Sequence, residues 1–143
     1  MMGIRQCRTF QRDTSGATAI EFAFLVGPLL LLFIGTIEVG RLMWSGHALD
    51  EVAISAARCM GIRATGCAEE EQVIPERTNA FIISAAQSWG LVLIPTDISL
   101  NADAGCAGDT GFLRVALSFS FDSVLPGLDG ATLQAEACFP DQL

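Results

Sequence analysis

The sequence predicts an α+β fold: a long N-terminal transmembrane helix that continues beyond the membrane, a second helix, and then a small antiparallel sheet of about three strands. Three observations carry this. The stretch "FAFLVGPLLLLFIGTI" holds sixteen residues without a charge between Glu21 and Glu38. Beyond it, apolar residues recur three and four apart, the spacing of one helix face. From residue 112 the period changes to two, the alternation of a half-buried strand.

A helix that begins near Ala17 and runs past Trp44 carries about twenty residues through hydrocarbon, and at 1.5 Å per residue that matches the roughly 30 Å of a bilayer core. An ordinary secretory signal would close its apolar stretch with a small-x-small cleavage site, but after Ile37 the chain reads "EVGRLMWSGHA", charged and bulky. A plain anchor accounts for the length but not for Glu21, since a carboxylate at mid-membrane costs about 2.5 to 3.5 kcal/mol and less near the interface. Gly27 and Pro28 are positions for a kink, and Gly35 and Gly40 offer faces for close helix approach. Glu38 and Arg41 stand three apart on one helix face at the outer lipid boundary. They read either as an interfacial pair with Trp44 as belt anchor or as a recognition site for a partner's transmembrane helix.

In "SGHALDEVAISAARCMG", Leu49, Val52, Ala53, Ala56, Ala57 and Met60 share one face, so the first helix continues to about Cys59. Gly61, Gly66 and the acids Glu69, Glu70 and Glu71 mark a loop. Pro75 suits the first turn of a second helix, "PERTNAFIISAAQSW", with Phe81, Ile82, Ala85, Ala86 and Trp89 on one face and Gly90 as its stop. "FLRVALSFSF" then places Leu113, Val115, Leu117, Phe119 and Phe121 on one side of a strand and Arg114, Ser118 and Ser120 on the other. "ATLQAEACF" repeats the alternation with Leu133, Ala135, Ala137 and Phe139, and "VLPGLDG" between them supplies turn residues. "TDISLNA" is the third strand, joined to the central one by a loop, "DAGCAGDTG".

Charge is divided unevenly along the chain. Arg5, Arg8 and Arg12 precede the apolar run against Asp13 alone, whereas residues 45–143 hold four Arg against thirteen acids. The positive-inside rule places the basic head in the cytoplasm and the remainder outside it, a single pass with the N-terminus in and the C-terminal part periplasmic or extracellular. An acidic body without Lys excludes binding to a phosphate backbone, so nucleic acid is not an expected partner, and membrane lipid is. The expected division is a basic head over residues 1–16, a transmembrane helix over 17–44 and an exported α+β domain over 45–143.

Cys7 lies on the cytoplasmic side of this scheme, and Cys59, Cys67, Cys106 and Cys138 form an even set beyond the membrane, which reads as two disulfides in an oxidising compartment. Four cysteines allow three connectivities. Cys59 with Cys67 and Cys106 with Cys138 is favoured because each pair brackets one compact unit, free buried thiols or a metal site being the alternatives.

No catalytic constellation is legible. His47 is the single histidine, which rules out a His-based metal site or a two-histidine relay. A Cys-His nucleophile fits less well than bridged cysteines. Glu69, Glu70, Glu71 and Glu76 lack the spaced oxygen ligands of a calcium loop and read as a solvated charge run. "DAGCAGDTG" is glycine-rich but sits in no strand-to-helix turn that would cradle phosphate. No cofactor, no metal and no enzymatic activity are expected.

An Arg-bearing head, then Gly16, then "ATAIEF" with Glu21 at the fifth position after the glycine, resembles the type IV prepilin leader. The whole stretch "GATAIEFAFLVGPLLLLFIGTIEVGRLMW" more narrowly resembles the N-terminal signature of the TadE/TadG-like family, pseudopilin-like components of tight-adherence (Flp-type) pilus systems. Gly16, Ala17, Glu21, Phe22 and Ala23 carry that resemblance, followed by Pro28 opening a leucine-rich stretch and by Gly35, Glu38, Gly40 and Arg41. The resemblance implies a pilin-like architecture in a bacterial inner membrane and cleavage between Gly16 and Ala17 by a prepilin peptidase. It further implies that Glu21, with Phe22 beside it, guides assembly by pairing with the freed amino group of a neighbouring subunit. The partners it implies are that peptidase, other pilus or pseudopilin subunits and inner-membrane assembly proteins, and the role is that of a minor component. The competing expectation is an uncleaved signal-anchored envelope protein whose exported domain binds a ligand or partner.

Overall fold

A computed structural model describes residues 15–70, 72–106 and 109–142. Arg5, Arg8, Arg12 and Cys7, on which the expectation of a basic head and a cytoplasmic thiol falls, lie outside the described residues. The chain divides into two compact units, Met1–Ile37 and Glu38–Leu143. One helix, α1 (Ser15–Gly61), contributes to both.

Within the first unit α1 is apolar and bare. Phe22, Phe24, Leu25, Leu31 and Leu32 are all exposed, and none of the most apolar window is buried inside the protein. Large apolar side chains on every face, without a protein core to cover them, mark a helix built for lipid or for other apolar helices. The helix is long and apolar enough to cross a membrane. Pro28 stands in its interior, where it lacks the N–H for the bond to the preceding turn, and the helix continues past it.

The second unit holds the core. Ala48, Leu49, Val52, Ala53, Ala56, Ala57 and Met60 of α1 are buried at the three-and-four spacing seen in the sequence. A two-residue hairpin follows, β1 (Ala68–Glu69) antiparallel to β2 (Gln72–Val73), in the segment expected to be a plain acidic loop. Helix α2 (Pro75–Ser88) starts on Pro75 and buries Thr78, Ile82 and Ala86. Its end is a Schellman motif: Leu91 N–H donates to Ala86 O at 2.9 Å and Gly90 N–H to Gln87 O at 3.0 Å, with Gly90 at φ +80°. Leu91 and Ala86 are both buried, which adds the hydrophobic contact that accompanies this cap.

After a short 3-10 turn (Pro95–Asp97) come β3 (Ile98–Cys106), β4 (Asp109–Phe121) and β5 (Ala131–Pro140), an antiparallel sheet in the order β3-β4-β5. Leu113, Val115 and Leu117 of β4 and Ala135 of β5 join the helical residues in one core. The fold is thus α+β, with the two helices and one face of a three-stranded sheet around a shared interior. Sequence and structure differ over "DAGCAGDTG": β3 runs on through Cys106 and β4 begins at Asp109, so most of that segment is strand. Two register shifts, between Asn101 and Ala104 and between Ala104 and Cys106, absorb the irregularity. Bulges filled with Ala and Gly leave no apolar alternation to read.

Two disulfides brace the second unit. Cys59 at the end of α1 bonds Cys67 with Cα atoms 5.9 Å apart, and Cys106 bonds Cys138 with Cα atoms 6.5 Å apart, tying β3 to β5 on either side of β4.

Candidate assembly and membrane-boundary site

Gly16 lies in the first turn of α1, and Ala17 follows it in the same helix. Nothing stands within 4 Å of where a side chain at Gly16 would begin. One turn on, Glu21 and Phe22 are exposed, Phe22 at 69%. Among the described residues no side chain donates a hydrogen bond to Glu21 and no cation pairs with it. An exposed carboxylate near the positive end of a helix, followed by an exposed phenyl ring, can receive a cation and an apolar surface from outside the chain.

Glu38 has the opposite surroundings. It is only 4% exposed, with Oε1 accepting from Arg41 Nη1 at 2.8 Å and Oε2 accepting from Ser123 Oγ at 2.9 Å. The Arg41 guanidinium carbon lies 5.4 Å from the centroid of the buried Phe121 ring, a cation-π distance. Ser123 is held in turn: its Oγ accepts from Leu125 N–H at 3.1 Å, and its own N–H donates to Asp129 Oδ1 at 3.4 Å. Glu38 therefore ties the base of the packed part of α1 to the turn between β4 and β5, satisfying a buried charge with two donors.

Sequence reasoning places Glu38 and Arg41 on one face but misses Ser123, which lies 85 residues away. "FDSVLPG" shows only turn chemistry. The local cue that something polar waits above is Glu38 itself, a carboxylate followed by a helix face that is otherwise core. Trp44 and Trp89 form a second unforeseen pair, with ring centroids 5.5 Å apart and planes at 56°. His47 is exposed on α1 in the turn after Trp44. Glu69 pairs with Arg77 at 2.9 Å across an exposed surface, so the acidic run is partly neutralised by α2.

Residues 16–58 match the family model described as TadE-like protein. The match takes in Gly16, Glu21, Glu38 and Arg41 and stops before the first disulfide; the sheet lies outside it. No curated protein matches the chain, and no solved structure does.

Proposed function

We propose that this protein is a minor, pseudopilin-like subunit for assembly of a tight-adherence pilus, inserted in the bacterial inner membrane with its second unit outside the cytoplasm. The observation that carries the reading is the TadE-like match beginning at Gly16 and running through a bare apolar helix with an exposed Glu21. A prepilin peptidase cuts after Gly16, and the new Ala17 ammonium of one subunit pairs with Glu21 of the next. The pair forms where lipid would otherwise make an isolated carboxylate expensive, so the gain on pairing is largest at the site of assembly. Phe22 and the bare leucine-rich faces supply packing between helices. The disulfide-braced second unit presents contact surface, and its role is interaction rather than catalysis.

N-terminal sequencing of the protein from cells with and without prepilin peptidase tests the processing step: the expected start is Ala17 in the first and Met1 in the second. A start at Met1 in both supports the uncleaved anchor instead. Glu21→Ala is expected to leave membrane insertion intact, since removing the charge eases insertion by up to about 3.5 kcal/mol, while strongly reducing surface pili. Pilus yield equal to wild type with Glu21→Ala would show that the carboxylate has no assembly role.

A further inference from the structure

The outer face of α1 within the second unit has no cover. Trp44, His47, Glu51, Ile54 and Arg58 are all exposed and follow one another three and four residues apart, the spacing of a helix face that packs against another helix. Trp44 and Ile54 are large apolar side chains at 57% and 55% exposure. Between this stripe and Trp89, the residue that follows α2, lies an open groove of about 470 Å³. The two indole rings line it, their centroids 5.5 Å apart, together with Asp50 and Glu51. Neither carboxylate pairs with a cation among the described residues.

Aromatic rings beside two unpaired carboxylates select a cation, which the rings attract through their quadrupoles and the acids through their charge. A planar guanidinium can stack on an indole and bond a carboxylate at the same time, so arginine suits the groove better than lysine. The chain has no lysine. Of the five arginines in the second unit, Arg41 is held by Glu38, Arg63 by Asp141, Arg77 by Glu69 and Arg114 by Glu136. Among the described residues Arg58 alone is an exposed arginine without an acidic partner. In its own chain it stands two turns, about 10.5 Å, past Glu51 along α1 and makes no pair with it.

We propose that the groove receives Arg58 from a second copy of this chain. Its guanidinium lies against Trp44 and Trp89 and pairs with Glu51, while Ile54 gains an apolar neighbour in the same contact. Two copies side by side in register would set Glu51 against Glu51 and Arg58 against Arg58, like charge on like. The pair therefore forms between copies displaced by two turns of α1 or turned end for end. The contact needs neither cleavage after Gly16 nor a pilus, and so goes beyond the function proposed above.

The test uses the full-length protein in a mild detergent, with self-association measured by sedimentation as the protein is diluted. Arg58→Glu and Glu51→Arg are each expected to weaken association at least about tenfold, since reversing one charge replaces an attraction by a repulsion. Mixed in equal amounts, the two variants should associate with each other nearly as well as wild type, because each supplies the charge that the other lacks. Both positions are exposed, so thermal unfolding should stay close to wild type in each variant. Both tryptophans line the groove and no tyrosine adds signal, so emission should shift to the blue as copies associate, and Arg58→Glu should abolish the shift. Association that neither substitution alters would place the contact elsewhere, in the apolar run for instance, and overturn the proposal. Variants that weaken association singly but fail to recover on mixing would overturn it too, since Glu51 and Arg58 would then face different neighbours. A wild type that stays monomeric throughout would do the same.

Discussion

Glu38 shows how much one residue's surroundings can alter the reading of its type. A carboxylate at a lipid boundary, three residues before an arginine, reads as an exposed surface pair, and such pairs contribute about 0 to 1 kcal/mol. Here the carboxylate is buried while Arg41 keeps a half-exposed side chain. The second donor, Ser123, therefore matters more than the ion pair suggests, because losing a hydrogen bond to a buried charge costs about 1.5 to 3 kcal/mol. Ser123→Ala is expected to lower stability by about that amount, measured on the full chain in detergent by denaturant unfolding followed through the two tryptophans. In a Glu38→Ala background the same substitution should cost less, since only the Leu125 N–H bond to Ser123 Oγ is then left to lose, and the difference is the coupling between Glu38 and Ser123. Equal losses in the two backgrounds would assign the effect to the turn alone.

At the scale of elements, legibility followed how repetitive each element's demands are. The helices could be read because Leu49, Val52, Ala53, Ala56, Ala57 and Met60 repeat one requirement over several turns, and β4 because Leu113, Val115 and Leu117 do so at period two. The course of β3 past Asn101 could not, because its bulges and small residues carry no period. Of the pairings distant in sequence, Ser123 with Glu38 left only the carboxylate as a cue, and Trp89 with Trp44 had no local trace at all. Neither did the close approach at Gly61, where a Cβ would overlap the Phe139 ring of β5. Gly90 lies between these extremes: its place after α2 marks a stop, and its φ of +80° explains why glycine is there. Nothing stands within 4 Å of a Cβ at that position, so the cost of a side chain is conformational alone. Gly90→Ala is expected to destabilise the fold by about 1 kcal/mol with no change in the α2 contacts. Thermal unfolding of the variant beside wild type measures it, and an unchanged midpoint would mean that the cap is dispensable.

For the molecule as a whole, the apolar helix and the braced unit answer to different environments, and the cysteines report on both. The chain has five: four are bonded in the second unit, as Cys59 with Cys67 and Cys106 with Cys138, and Cys7 precedes the proposed cleavage position. In the chain-entropy picture the shorter loop contributes about 2.5 kcal/mol and the longer about 4, which is substantial for a domain of this size. Those bridges require an oxidising compartment, so their presence in cells would itself place the second unit outside the cytoplasm. Thiol counting then follows orientation and processing together. Protein from cells lacking prepilin peptidase, denatured without reduction and alkylated, should take up one label, on Cys7. Protein from cells with the peptidase should take up none, because cleavage after Gly16 removes that cysteine. Labels on Cys59 or Cys106 in either sample would mean that the unit never reached an oxidising space, and the proposed topology would have to be reversed.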